Sequence, residues 1–320
     1  RDAPDTLRGC FVAGDVALVR EAAAALATAE AGAYGIDRLA QFSRNYLAAG
    51  GTGSLSDYYT TAYDGAVRYS HDGALMFGVV EWEEPEGGIL HASARAYAAL
   101  TAFWRDCGYP HLLRIWNYFA AINEGEGDQE RYRRFCVGRA GAVDGMFNQP
   151  PPAATAIGSD GVPGRLQVVA LCSKSPGIAL ENPRQTPAWR YPREHGPVSP
   201  GFSRGAVLDG DTVEPRLLAS GTASIVGHVS KHVGDFAAQL RESLDNLATL
   251  LDQGHQATGR EFPLARCEAL RVYLRHPADL AAAQAILATA GLPGDRISYL
   301  RGDVCRRELD VELEGVFVAA

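Results

Sequence analysis

Hydrophobic and polar positions along the chain follow two periods, and the clearest period-two stretch lies near its C-terminal end. From Leu309 to Phe317 (LDVELEGVF) apolar residues alternate with acidic ones or glycine, the pattern of a strand with two unlike faces. Leu309, Val311 and Leu313 share one face, while Glu308, Asp310, Glu312 and Glu314 share the other. Like charges in one row repel. Such a face is either solvated or buries a carboxyl that finds a cation or keeps its proton.

Upstream, ALMFGVVEW predicts a strand from Ala74, residues 91–107 an amphipathic helix, and residues 112–122 a strand. Asp128 then precedes a helix on which Tyr132, Phe135 and Arg139 recur at helical spacing, and residues 154–159 and 165–174 read as strands. The order recurs. Residues 217–226 predict a strand, and Gly234 and Asp235 open a long helix with Phe236, Leu240, Leu244, Leu247 and Leu251 on one face. A strand at 270–274, a helix at 277–290 that opens on proline, and strands at 297–300 and 309–317 follow. LLRIWNYFAAI lies over ALRVYLRHPADL and GRLQVVALCSK over RELDVELEGVF, which predicts an internal duplication. Near the start, residues 15–30 read as an Ala-rich helix and residues 50–57 as a loop. The expected fold class is α/β (α+β), with mixed sheets packed against helices. The expected division is residues 1–180, with a degenerate repeat near 70–175, a Pro- and Arg-rich connector at 181–214, and a second unit at 215–320.

Composition narrows the function. At 320 residues, 47% hydrophobic and 21% charged, the chain can bury one large core or two smaller ones. A net charge of -8 without an extended basic cluster argues against nucleic acid. No apolar run is long enough for a membrane helix, and residues 1–32 lack the apolar core of a signal peptide. The six cysteines form no CxxC pair or zinc-type spacing, so they are expected to be reduced thiols of a cytoplasmic protein. His228 and His232 stand four apart between glycines, in a loop rather than on a helix, and are not read as a metal pair. Lys174 and Lys231 are the only lysines; the remaining positive charge is arginine, whose fork suits carboxylates.

The second half, GTASIV, DFAAQLRESLDNL, ALRVYLRHPADLAAAQAIL and CRRELDVELEGVF, resembles the YjgF/RidA superfamily. NPRQTPAWRYPREHGPVSPGFSRG (182–205), GTASIVGH (221–228) and GDVCRREL (302–309) sharpen this into a resemblance to the chorismatase family of chorismate-hydrolysing enzymes, from about Ala74 onward. The resemblance implies two RidA-like units in one pseudo-oligomeric chain, itself a monomer or weak oligomer, with a pocket between the units. It implies chorismate as substrate, release of pyruvate, and neither cofactor nor metal, because the enol ether is reactive enough to need only a proton donor.

Chorismate carries two carboxylates, which calls for two separately anchored arginines. By resemblance, Arg190 with Tyr191 beside it takes one carboxylate. Arg139 is the choice for the other, with Arg204 and Arg184 in reserve. Glu312 matches the family's acid that protonates the enol methylene, and its apolar neighbours and like charges would raise its pKa; Asp310 and Glu314 remain alternatives. Cys305, together with Gly221, implies the subtype that forms 3-hydroxybenzoate. The dihydroxycyclohexadienoate-forming and mixed 3-/4-hydroxybenzoate subtypes stay open, as do a RidA-like imine or enamine deaminase and a non-catalytic ligand-binding protein.

Overall fold

A computed structural model of the chain describes residues 60–320 apart from positions 65, 66, 72, 85, 86, 146, 148, 149, 211 and 213. The expected helix at 15–30 and loop at 50–57 lie outside the described residues. The first half supplies β1 (Thr60–Asp64) and β2 (Val67–His71), which no apolar run predicted, then β3 (Leu75–Glu83), β4 (His111–Ala120), β5 (Ala153–Ser159) and β6 (Arg165–Ser173). They form one sheet in the order β1-β2-β3-β6-β4-β5, antiparallel except for β4 beside β5.

The second half supplies β7 (Ile178–Leu180), β8 (Gly205–Leu208), β9 (Arg216–Ala223), the short ribbon β10 (Ile225–Val226) and β11 (Val229–Ser230), then β12 (Cys267–Leu274), β13 (Ile297–Arg301) and β14 (Val311–Val318). Its main sheet runs β7-β8-β9-β14-β12-β13, with the single parallel pair β12 and β13 again at the far end. Strand for strand the two orders are the same. The duplication read from the sequence pairs β4 with β12 and β6 with β14, the positions these strands share in their sheets. Because β7 ends at Leu180 and β8 lies within 181–214, the second sheet begins before the expected connector and runs through it.

Helices α1 (Gly88–Asp106) and α2 (Arg131–Ala142) pack on the first sheet through Ile89, Tyr97, Leu100 and Phe135, against Val80, Ile115 and Val168. Helices α3 (Phe236–Thr258) and α4 (Leu280–Leu287) cover the second through Leu240, Leu247, Leu250 and Leu287, against Leu217, Val272 and Leu313. The apolar faces left over meet each other. Trp116, Tyr118, Val169 and Leu171 of one sheet join Leu218, Tyr273 and Val316 of the other in a shared core. The layers therefore run helix, sheet, sheet, helix.

This arrangement decides the acidic strand. β14 is buried along its whole length: Val311 and Leu313 face the helices, while Glu312, Glu314 and Val316 face the opposite sheet. The expected row of four carboxylates divides. Glu308 and Asp310 lie before the strand, where Ser230 Oγ donates to Glu308 (2.7 Å) and the Gln239 amide holds both the backbone N–H and the carboxylate of Asp310. A solvated sheet face is thereby excluded. Likewise the strand expected over 217–226 ends at Ala223, and the helix expected over 277–290 is a 3-10 turn at Pro277–Asp279 leading into α4.

Between the sheets, Glu314 accepts from Arg114 Nη2 (2.7 Å), Tyr273 OH (2.9 Å) and Thr155 Oγ1 (2.5 Å), and also from Arg271 Nη1. Both guanidinium groups lie near the Trp116 ring, at 4.8 and 5.9 Å from its centroid. Removing one partner of a buried charge cluster leaves the others uncompensated. Glu314→Gln is therefore expected to lower unfolding free energy by about 3–5 kcal/mol, read from urea denaturation.

Candidate active site

The Glu312 carboxyl stands beside that cluster without sharing its hydrogen bonds. Burial first, and the Glu314 anion second, push its pKa up to about 8, despite the opposing pull of Arg114 and Arg204. For Glu314, burial acts in the same upward direction, but Arg271 and Arg114 with the Thr155 and Tyr273 hydrogen bonds hold it below the usual carboxylate value. Two carboxyls two residues apart on one strand thus take opposite protonation states at neutral pH, an acid beside a fixed anion.

Gly221, on β9, makes this placement possible. A Cβ at that position would lie 2.7 Å from Glu312 Cδ and closer still to Oε1, so any side chain displaces the carboxyl. The Gly221 N–H donates to Thr155 Oγ1 (2.9 Å), the hydroxyl that donates to Glu314, so backbone, anion and acid are fixed together.

Glu312, Gly221 and Cys305 line both a cavity of about 300 Å³ and a smaller chamber of about 30 Å³ beside it. Tyr191, Arg204, Arg306 and His195 border the larger space, and Arg139, Asn117 and Thr155 the smaller one. Burial, then the neighbouring Glu312, raises the Cys305 thiol to about 12, so it is a neutral thiol. Burial and then Arg306 hold the His195 imidazole down to about 4.

Three arginines at these cavities have donors to spare. Arg139 Nε, Arg204 Nε and Arg306 Nη2 are buried without a hydrogen-bond partner, and among the described residues no carboxylate lies within ion-pair distance of these three side chains. By contrast Arg133 and Arg307, also at the cavity, are paired with Glu130 and Glu126 (3.1 Å each). An unsatisfied buried guanidinium N–H is costly, and an anionic ligand is the group that would relieve it. Tyr191 organises two of the three: its hydroxyl accepts from Arg204 Nη2 (2.7 Å), while its ring centroid lies 5.6 Å from the Arg204 guanidinium and 5.2 Å from that of Arg306.

The sequence expectation is corrected at one arginine. Arg190 is exposed at the end of the 3-10 turn Ala188–Arg190 and lines neither cavity, whereas its neighbour Tyr191 and Arg306 border the larger one. Arg184 is engaged elsewhere, with Glu242. Arg306 follows Cys305 directly in GDVCRREL, yet a run of two arginines in a polar loop gives no sign of which one turns inward. The loop's anchor was also illegible. Arg275 donates to the carbonyls of Val304, Arg306 and Leu309 and pairs with Asp303 (2.9 Å), while Gly158 on β5 exchanges backbone hydrogen bonds with Asp303. Cys305 and Arg306 are fixed by these contacts.

Cys107, Cys136, Cys172, Cys267 and Cys305 are all unbridged. Among the described residues no helix is long and apolar enough to cross a membrane. His228 and His232, apart as expected, serve different neighbours: His232 lies 3.3 Å from Glu242, and His228 lies 3.1 Å from His195.

A protonated carboxyl beside spare guanidinium donors can pass a proton to an anionic ligand. Residues 54–172 match the family described as chorismatase FkbO/Hyg5-like, N-terminal. A 3-hydroxybenzoate synthase of Streptomyces hygroscopicus is 37% identical over 263 residues, covering 78% of this chain and 76% of that protein. A chorismatase of Streptomyces rapamycinicus is 38% identical over 77% of this chain and 78% of its own length. A crystal structure of a chorismatase superposes with a TM-score of 0.73 at 35% identity, covering 80% of this chain and 78% of that one. The chain belongs to the chorismatase family.

The Glu312 proton can be observed directly. Infrared difference titration should show a protonated carboxyl band that disappears as pH rises through about 8, and Glu312→Gln should abolish it. Gly221→Ala, by displacing the carboxyl, should move that titration toward the ordinary carboxylate range.

Proposed function

We propose that this protein is a chorismatase that cleaves the enolpyruvyl ether of chorismate, releases pyruvate and forms 3-hydroxybenzoate. The observation that carries the reading is the neutral Glu312 carboxyl among Arg139, Arg204 and Arg306, whose unpartnered donors suit a dianion. In this reading Arg204 and Arg306 hold one carboxylate, with Tyr191 steadying both, and Arg139 holds the other from the smaller chamber. Fixed in this way, the enol methylene can lie against Glu312.

Glu312 gives its proton to the terminal methylene carbon, and the ether oxygen shares the resulting positive charge as an oxocarbenium ion. The neighbouring ring hydroxyl then displaces the ether oxygen from its ring carbon, so that pyruvate leaves and the hydroxyl proton passes to the ionised carboxylate as an arene oxide forms. This oxide opens at the carbon that first bore the hydroxyl, and loss of the ring proton from the other carbon aromatises the ring to 3-hydroxybenzoate. Pyruvate plus 3-hydroxybenzoate together contain the atoms of chorismate, so neither oxidant nor net water is consumed. The reaction needs no cofactor. A carboxyl with a pKa near 8 is well matched to this role, because it is protonated at neutral pH and still releases its proton readily.

Cys305, as a neutral thiol, acts by filling space beside the acid rather than as a nucleophile. The name of the 37% identical relative supports the 3-hydroxybenzoate product, as do Cys305 and Gly221. The unbridged cysteines are in keeping with a reducing, cytoplasmic setting, and because one chain supplies the whole cavity, a monomer or weak oligomer suffices.

Incubation with chorismate should release pyruvate and yield 3-hydroxybenzoate on chromatography; absence of pyruvate refutes the reading. Glu312→Gln should lower turnover by about 100-fold or more. Because the acid must be protonated, the rate should fall as pH rises through about 8. Cys305→Ala should change the product mixture more than the rate of chorismate loss, and an unchanged mixture would leave Cys305 a packing residue.

A further inference from the structure

At the rim of the large cavity, three side chains outside the catalytic group converge. His195 Nε2 and His228 Nδ1 are 3.1 Å apart, and Glu194 Oε1 lies 3.4 Å from the first and 3.3 Å from the second. One atom from each side chain thus forms a nearly equilateral triangle. A tetrahedral ion with bonds of about 2.0–2.1 Å holds its ligand atoms about 3.3–3.4 Å apart, so one point just off this triangle's plane is within bonding reach of all three.

The three side chains come from two short turns that the fold fixes separately. Glu194 and His195 belong to the 3-10 turn Arg193–His195, which Arg193 ties to Asp128 (2.9 Å), and the His195 ring packs on Tyr191 with centroids 5.3 Å apart. His228 sits in the tight turn between β10 and β11. There Gly227 takes a positive φ of 61° and its backbone exchanges hydrogen bonds with Arg184 and Thr186, while the His228 carbonyl accepts from Arg306 Nη1 (2.9 Å). The two turns that carry the triangle are therefore each held in place by hydrogen bonds to the rest of the fold.

The geometry points to a binding site for a divalent transition-metal ion, Zn²⁺ in the first instance, formed by Glu194, His195 and His228 at the mouth of the cavity, with a fourth position open to water or an incoming carboxylate. Two imidazoles and one carboxylate suit a borderline ion better than Mg²⁺ or Ca²⁺, which prefer oxygen donors. Arg306 and Arg133 stand close enough to act on the His195 charge and repel a cation, which keeps binding reversible. Since His195 also lines the cavity, a bound ion narrows the entrance and captures a carboxylate before it reaches Arg204 and Arg306. Its effect is inhibition, a consequence that rests on the function proposed above.

Binding and inhibition are tested separately. Co²⁺ titrated into the metal-free protein should produce the intense visible bands of a tetrahedral site, and Zn²⁺ should displace it. Glu194→Gln and His228→Gln should weaken Co²⁺ binding at least tenfold, with circular dichroism unchanged because both side chains are partly exposed. Absence of the bands in the unmodified protein, or equal binding by both variants, overturns the site. With chorismate as substrate, Zn²⁺ should raise KM in the unmodified protein, a chelator should reverse this, and Glu194→Gln should be insensitive. Equal inhibition of the variant overturns the regulatory role, while failure to form pyruvate at all bears on the function alone, since the Co²⁺ bands judge the site without turnover.

Discussion

One buried anion controls the chemistry of this molecule. Glu314 is enclosed between two sheets, and it can stay ionised there because Arg114 and Arg271 approach it from opposite sheets while Thr155 and Tyr273 donate to its oxygens. Once that charge is fixed, a second carboxyl two residues along the same strand face cannot easily ionise as well. Burial first, and then the anion that joins the halves of the fold, keep the neighbouring acid protonated.

The duplicated architecture explains why the site lies where it does. Each sheet uses one face for its own helices and the other for its twin, so polar residues on the inner faces have only each other as partners. Most inner positions are apolar and build the common core. Where the sheets admit charge, near β4, β5, β9, β12 and β14, Glu314 is held by Arg114 and Arg271 while Glu312 keeps its proton, and the cavities open beside that region. The loop carrying Cys305 and Arg306 closes one side, held by Arg275 and by the edge of β5. The site is thus shared between the two halves, although one chain makes both.

Catalysis and recognition are divided among different residues. In the proposed reaction Glu312 supplies the proton, and the unpartnered donors of Arg139, Arg204 and Arg306 supply the attraction for an anion. Arginines that already hold a glutamate, such as Arg133 and Arg307, shape the wall without adding a free positive charge. Gly221 contributes by what it lacks, since the space a Cβ would fill is occupied by the acid.

The period-two alternation after Leu309 was enough to identify a strand, and the 3.6-residue spacing of Leu240, Leu244, Leu247 and Leu251 a helix, because both report only local burial. Element order disclosed the duplication, and the strings at 182–205, 221–228 and 302–309 indicated the family. Alternation alone leaves open whether the second face of a strand meets water or another sheet, so the separation of Glu312 and Glu314 from Glu308 and Asp310 was out of reach. For the same reason Arg190 was named and Arg306 was not considered: linear spacing does not reveal which loop side chains turn inward. Local periodicity determined the elements. Only the packing of one sheet on the other decided which carboxyl keeps its proton and which guanidinium groups remain free, because burial and long-range pairing set both.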